Sequence, residues 1–565
     1  MVPVKKHRRV GDHARASAFS VVMVLAAGLA GSPAGAQGEV TNTVAAVSAP
    51  VVTNKSADDS GARLSSRSEA VAAAVARLPA IPPGPFEPTW ASIRAHYQDP
   101  EWFRDAKFGI MMHWGIYSVP AHGSEWYVRY MYGGNAGIMA WHTKHYGPPT
   151  VFGYKDFLPL FTAAKWDPDA WAELFKEAGA RYVIASGEHH DGFSNWASDI
   201  NRYNAKNYGP KRDLVGDLLA AVRKVGLKTG VANHSNAHFN FIPPLPGSDQ
   251  YDPEWAAFYS VADRSDAAYA KFLETWVTKN MELVDKYQPD MLWFDMNGGD
   301  RSWDPLKVRV AAYYYNRAAT WGKPVAISAK GESFLAGVVM DYERQGRAPK
   351  RLTDFVWQPD DPIADKFGYV EAPDATGKLA GLPLKSPGSL VHHLVVNVSR
   401  NGNLLLNISP KADGTIPEAQ QQVLRAIGRW LGVNGEAIYG TRPWKMSEEG
   451  SVHFTTKGQT LYAISLTWPT NELMIPALGR DKGLEGKVDA VELLGHAGTL
   501  QFTQGAEGLK VSFPAEKPCD YCYALKISGL KLAAAAASIP AHPNADAPGG
   551  PGLIPQQDIS HGPIR

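Results

Sequence analysis

The sequence predicts an α/β barrel followed by a small antiparallel β-sandwich, on three observations. From Trp90 to Trp444 short apolar runs alternate with amphipathic helical stretches, the pattern of a parallel α/β domain. His113, His189, His190, His234 and Asp295 all fall at or just after the end of such a run, and in a closed barrel those ends converge on one face. Beyond Trp444 the texture changes to short alternating segments, at 452–455 and 461–464, spaced by Gly, Asn and Asp.

Taken in order, the first strand is expected at 107–113. Asp167-Pro168 opens a helix whose Trp171, Leu174 and Phe175 share one face, and a strand follows at 182–186. A helix over 213–225 has Asp213 as N-cap and Gly226 beyond its end. A strand at 227–232 precedes a longer helix through Phe272, Trp276 and Leu283. The next strand, in the stretch 289–295, is bounded by Pro289 and by Asn297-Gly298-Gly299, and it ends on Asp295. Further strands are expected at 325–328, 354–357 and 404–408, and Pro417 opens a last helix that closes at Asn434-Gly435.

The N-terminus carries Lys5, Lys6, His7, Arg8 and Arg9, a largely apolar stretch over 18–30, and Ala34-Gly35-Ala36. That is the form of a secretory signal peptide, and the apolar run is short of the roughly 20 residues that span a bilayer. The expected organisation is a signal peptide over 1–36, a flexible leader over 37–85, the barrel over 86–444, the sandwich over 445–531 and a disordered tail over 532–565. Export to a periplasm or beyond follows, with no membrane attachment of the mature chain.

With 57 basic and 56 acidic residues the chain has no global field to recruit nucleic acid or an anionic membrane. Aromatic residues make up 11% of it, which suits either a large core or a pocket that stacks the apolar faces of sugars. The two cysteines, Cys519 and Cys522, fall in a segment that reads as a strand, where they would point to opposite faces. A lone C-x-x-C is a weak zinc signal, so no metal is expected there.

Two carboxylates flanking a glycosidic bond suffice for hydrolysis, one ionised to attack and one protonated to assist the leaving oxygen. Asp295 is the candidate attacker, although an Asp before Asn-Gly-Gly also commonly caps a turn. Glu343 is the first choice of partner; Glu332, Asp341 and Asp361 remain open, and a Glu beside Arg344 is commonly an ion pair. His189-His190-Asp191 with His113 has the residue types of a zinc or iron site, but neighbours at a strand end point apart. His234 and His238 lack the intervening Glu of a metalloprotease. No metal and no cofactor are expected, and the histidines suit the hydroxyls of a neutral sugar.

Several stretches resemble the α-L-fucosidases of glycoside hydrolase family 29. They are Lys107-Phe108-Gly109 through His113-Trp114-Gly115 with Tyr117-Ser118-Val119-Pro120, Gly123-Ser124-Glu125-Trp126-Tyr127, His189-His190-Asp191-Gly192-Phe193, Gly209-Pro210-Lys211-Arg212-Asp213 and Trp293-Phe294-Asp295. The likeness continues in Asn401-Gly402-Asn403-Leu404-Leu405-Leu406-Asn407-Ile408 and Asn434-Gly435-Glu436-Ala437-Ile438-Tyr439-Gly440. The resemblance implies a TIM-type (β/α)8-like barrel with a C-terminal β-sandwich, and a retaining exo-glycosidase acting on terminal α-L-fucosides of an oligosaccharide or polysaccharide. It implies Asp295 as nucleophile and Glu343 as acid/base, with His113, Glu125, Trp126, His189 and His190 on the sugar hydroxyls and Trp293 and Phe367 lining the ring. His234 joins them as a pocket residue. The chain departs from the family pattern at Ala232-Asn233-His234 and at Met296, where Gly is usual. A related sugar such as an α-L-galactoside, or a binding protein without turnover, are the alternatives.

Overall fold

The computed structural model describes residues 58–296, 301–331, 333–373 and 379–533. Its first large element is a parallel sheet built from β1 (Phe108–Met112), β2 (Tyr182–Glu188), β3 (Lys228–Asn233), β4 (Met291–Phe294), β5 (Ala326–Lys330), β6 (Val339–Asp341), β7 (Trp357–Gln358) and β8 (Asp360–Pro362). After a small hairpin, β9 (Glu371–Pro373) with β10 (Leu379–Gly381), it is completed by β11 (Leu404–Ile408). The order is β7-β6-β5-β4-β3-β2-β1-β11-β8. β7 and β8 are one stretch of chain interrupted at Pro359, which has no N–H for the ladder. One part pairs with β6 and the other with β11, so the sheet returns on itself as a TIM-like barrel.

The barrel interior is filled rather than hollow. Met111, Tyr182, Ile184, Met291, Trp293, Val339 and Leu405 pack together there, and Phe103 from the short helix Glu101–Ala106 joins them. Tyr182 lies where a side chain on β1 residue 109 would stand, so Gly109 is required by close approach. A second, larger apolar layer joins the outer faces of the strands to helices Pro168–Glu177, Leu214–Lys224, Asp266–Tyr287, Asp304–Thr320, Pro387–Ser399 and Glu418–Asn434. The local signals hold: Asp167 caps Ala170 N and Asp213 caps Gly216 N.

The C-terminal region is a five-stranded antiparallel sheet, in the order Arg442–Glu449, Val452–Lys457, Thr460–Ser465, Tyr523–Lys531, Glu485–Leu493, with a three-stranded sheet of Glu472–Ile475, Leu509–Ser512 and Phe502–Gln504. Trp444, Phe454, Leu461, Val511 and Leu525 form its own core. It is tied to the barrel by Arg400–Glu448 at 2.6 Å and by the Trp430 indole, which donates to Cys522 O at 2.8 Å.

Three expectations change. Within the segment read as a flexible leader, residues 58–75 form a helix, Asp58–Val75, whose Ala70, Val71 and Ala74 are buried in the main core. Its alanine content favours helix and its small side chains allow close packing, a combination that looks featureless by hydrophobic period alone. The strand expected to hold both cysteines begins after them, at Tyr523; Cys519 and Cys522 are free thiols flanking a turn in which Tyr521 has φ of +71°. The strand expected at 354–357 is confined to Trp357–Gln358. The signal peptide (1–36), the start of the leader and nearly all of the 532–565 tail lie outside the described residues.

Candidate active site

The C-terminal ends of the barrel strands carry the site. β1 runs into His113, β2 ends on Glu188 and leads into His189 and His190, β3 leads into His234, β4 into Asp295, and β5 ends on Lys330. Lys330 organises the centre. Its ammonium lies 2.8 Å from Asp295 Oδ1, 3.4 Å from Glu343 Oε2 and 3.6 Å from Asp360 Oδ2. Asp295 and Glu343 therefore approach one nitrogen from two loops, which bounds the separation of those oxygens at about 6.2 Å, the scale of a carboxylate pair flanking a single bond.

Burial by itself would raise the Asp295 carboxyl, but the Lys330 ammonium and then the His190 contact, 3.2 Å from Oδ2, outweigh it and hold the group well below the usual carboxylate range. Burial would likewise lower Lys330, and the charges of Asp295, Asp360 and Glu343 together hold it well above the usual lysine value. Side-chain exposures of 17% for Asp295, 6% for Lys330 and 26% for Glu343 leave an opening on the Asp295–Glu343 side. The Lys330 charge also stands 5.2 Å from the centre of the Trp293 ring and 6.0 Å from that of Phe367.

Three imidazoles form the adjoining wall. His113 lies 4.9 Å from His234 and 5.5 Å from His189 between ring centres, with Phe367 4.9 Å from His113 and Trp293 5.0 Å from His234. Burial lowers all three, His189 and His234 far below the usual imidazole value, so they are neutral near pH 7. Asn407 donates to Phe367 O at 2.8 Å, which turns its Oδ1 toward His113 Nδ1 at 2.7 Å and makes that nitrogen the donor. His190 sits beside them with Nδ1 2.6 Å from His234 O and Trp126 edge-on at 6.0 Å. Glu125 is buried on the same side, held by Gly368 N at 3.0 Å.

The remaining acid candidates are engaged elsewhere. Asp341 accepts from the Trp293 indole at 2.8 Å and from Gln358 at 3.2 Å, and Asp361 is paired with Lys385 at 2.6 Å. Glu332 lies outside the described residues. Glu343 pairs with Lys330 and, at 3.5 Å, with Arg347 rather than with its neighbour Arg344, whose side chain turns to Asp365 O. His190 and Asp191 diverge as strand-end neighbours should, Asp191 accepting from Tyr154 at 2.8 Å. His238 turns to His190 O at 2.9 Å.

Lys330, Asp360 and Asn407 were not singled out by sequence. The strand-end rule that selects His113 and Asp295 also selects Lys330, whereas Asp360 and Asn407 lie within strands and face the interior, where a polar residue carries no periodic signal. Also missed is a buried pair below the histidines: Glu188 Oε1 lies 2.5 Å from Lys279 Nζ, and Ser194 Oγ donates to Oε2 at 2.7 Å. The Glu188 carbonyl receives His234 N at 2.8 Å, so this pair fixes the strand ends from which His189, His190 and His234 project. Lys279→Met leaves the Glu188 carboxylate buried with a single hydroxyl partner and is expected to destabilise the protein by about 3–5 kcal/mol. An unchanged denaturant midpoint would refute that.

Comparison with known proteins identifies the family. The α-L-fucosidase family model matches residues 73–436 and the α-L-fucosidase C-terminal domain model matches 446–528. Human tissue α-L-fucosidase is 33% identical over 465 residues, covering 80% of this chain and 94% of the relative. Human plasma α-L-fucosidase is 34% identical over 79% of this chain and 93% of its own. The Thermotoga maritima α-fucosidase crystallised with fucose superposes with a TM-score of 0.63 at 34% identity, covering 78% of this chain and 100% of that one. With the family models matching both its barrel and its C-terminal sheets, and with relatives about a third identical over four fifths of its length, the chain belongs to the α-L-fucosidases of glycoside hydrolase family 29.

Proposed function

We propose that this glycoside hydrolase releases terminal α-L-fucose from fucosylated oligosaccharides or polysaccharides with retention of configuration. The observation that carries the reading is the pairing of Asp295 and Glu343 on one ammonium, which keeps the two oxygens no more than about 6.2 Å apart, a bound that admits the roughly 5–5.5 Å of retaining glycosidases and lies below the roughly 6.5–9.5 Å of inverting ones. Asp295, kept ionised by Lys330, attacks the anomeric carbon as Glu343 gives its proton to the departing oxygen. Esterification removes the Asp295 charge from beside Lys330. The ammonium then stabilises the Glu343 carboxylate, which takes a proton from the water that cleaves the ester.

The neutral imidazoles of His113, His189 and His234, with His190, Glu125 and Trp126, supply donors and acceptors for the sugar hydroxyls, and Trp293 and Phe367 supply apolar walls. No cofactor enters either step. In hydrolysis of an aryl α-L-fucoside followed by proton NMR, α-L-fucose is expected to appear before mutarotation produces the β anomer; β-L-fucose appearing first would overturn retention.

We also infer that the chain is exported to the periplasm or beyond, from the basic, apolar and Ala-Gly-Ala segments at its start. Full-length protein made in a bacterial host is expected outside the cytoplasm beginning at Gln37, by mass spectrometry of the intact chain. Recovery in the cytoplasm with residues 1–36 attached would refute this.

A further inference from the structure

In the absence of sugar, three histidines of the pocket wall turn free ring nitrogens toward one another. One ring nitrogen each of His113, His189 and His234 lies within 4.8 Å of the other two, and all three residues are buried. They arrive from β1, β2 and β3, so the divergence of adjacent residues that argued against a metal at His189-His190-Asp191 does not apply to them. His234 Nε2 and His189 Nδ1 have no hydrogen-bond partner among the described residues. The orientations are fixed from behind. Asn407 Oδ1 accepts from His113 Nδ1 at 2.7 Å, and Glu188 O lies 3.3 Å from His234 Nδ1. Each of those two rings therefore turns the Nε2 lone pair to the centre, the outer-shell arrangement that commonly orients metal-bound histidine.

We propose that His113, His189 and His234 bind one borderline-soft divalent ion, of the zinc or copper class, at the position otherwise taken by sugar hydroxyls. Neutral imidazoles are the ligands such ions prefer, and hard oxygen-seeking calcium or magnesium would find no carboxylate among the three. Bond lengths of about 2.0–2.1 Å require the rings to close in by roughly 1 Å, within reach of side-chain rotation. The ion would stand on the Asp295 side of the pocket and exclude the sugar. It would inhibit the enzyme reversibly. The exclusion rests on the fucosidase reading above; the binding of the ion does not.

Chelator-stripped protein titrated with Co²⁺ is expected to develop the visible d–d absorption of a nitrogen-rich site at one ion per chain, bleached by Zn²⁺. His234→Asn is expected to abolish the spectrum. Asn407→Ala removes no ligand but releases His113 Nδ1, and is expected to weaken cobalt affinity by about 10–100-fold. No spectrum in the parent protein, an intact spectrum in His234→Asn, or unchanged affinity in Asn407→Ala would each overturn the site. In protein that cleaves an aryl α-L-fucoside, saturating L-fucose is expected to displace the cobalt, and a spectrum that survives it overturns the shared position. Cobalt bound in this way by a protein with no fucoside cleavage would sink the sugar reading and leave the metal site standing.

Discussion

Replacing Asp295 by Ala lowers kcat on an aryl α-L-fucoside by at least about a thousandfold, a loss on the order of 4 kcal/mol of transition-state stabilisation. Folding survives, because Lys330 keeps Glu343 at 3.4 Å and Asp360 at 3.6 Å and is not left as an unpaired buried charge. Added azide can enter the face that the carboxylate vacated, and a single displacement there gives β-L-fucosyl azide. Glu343→Ala behaves differently. With a substrate whose leaving group needs no proton, Asp295 still forms the ester, and azide in place of water gives the α-azide after two displacements. The stereochemistry of the trapped azide therefore assigns the two carboxylates separately. A tenth or more of parental activity in Asp295→Ala would remove it from the chemistry, and exchanged azide anomers would exchange the roles.

The barrel was legible because its strands are buried on both faces and read as continuous apolar runs: all five residues of β11 are buried, and the run at 404–408 marks it without ambiguity. β6 and β8 were not marked as strands. Val339–Asp341 and Asp360–Pro362 are three residues each, too short for a period, and each carries buried carboxylates, Asp341 in the first and Asp360 and Asp361 in the second. A strand of three residues with carboxylates among them has no apolar run to mark it. Asp295 was visible through its position, at the end of a clear apolar run. Its chemistry was not, since the choice between attacking group and turn cap depends on Lys330 and His190, which lie 35 residues after it and 105 before it. Glu343 was underdetermined for a related reason: its neighbour in sequence, Arg344, is not its partner in space.

Lys330→Met is expected to lower kcat/KM by about a hundredfold or more, the scale found when one preorganised charge is removed from an active site. The side chain keeps its length and loses its charge, so burial then acts on Asp295 without the cation that opposed it. The carboxyl rises, and the acid limb of the kcat/KM profile moves to higher pH. The stability effect has a defined window. Asp295, depressed in the folded state, contributes stability present above its unfolded value of about 3.9 and lost as pH falls through the folded one. Lys330, raised in the folded state, contributes stability present below its unfolded value of about 10.4 and lost as pH climbs through the folded one. Across about pH 5–9 both contributions are in full force, and the variant should lose about 3–5 kcal/mol throughout, as for a buried pair broken on one side. Lys330→Arg restores the charge and should recover part of the activity and return the acid limb toward lower pH. A residue that merely filled space would be replaced by Met with a change in kcat at most, so an acid limb that stays in place in Lys330→Met would show that Lys330 does not set the ionisation of Asp295.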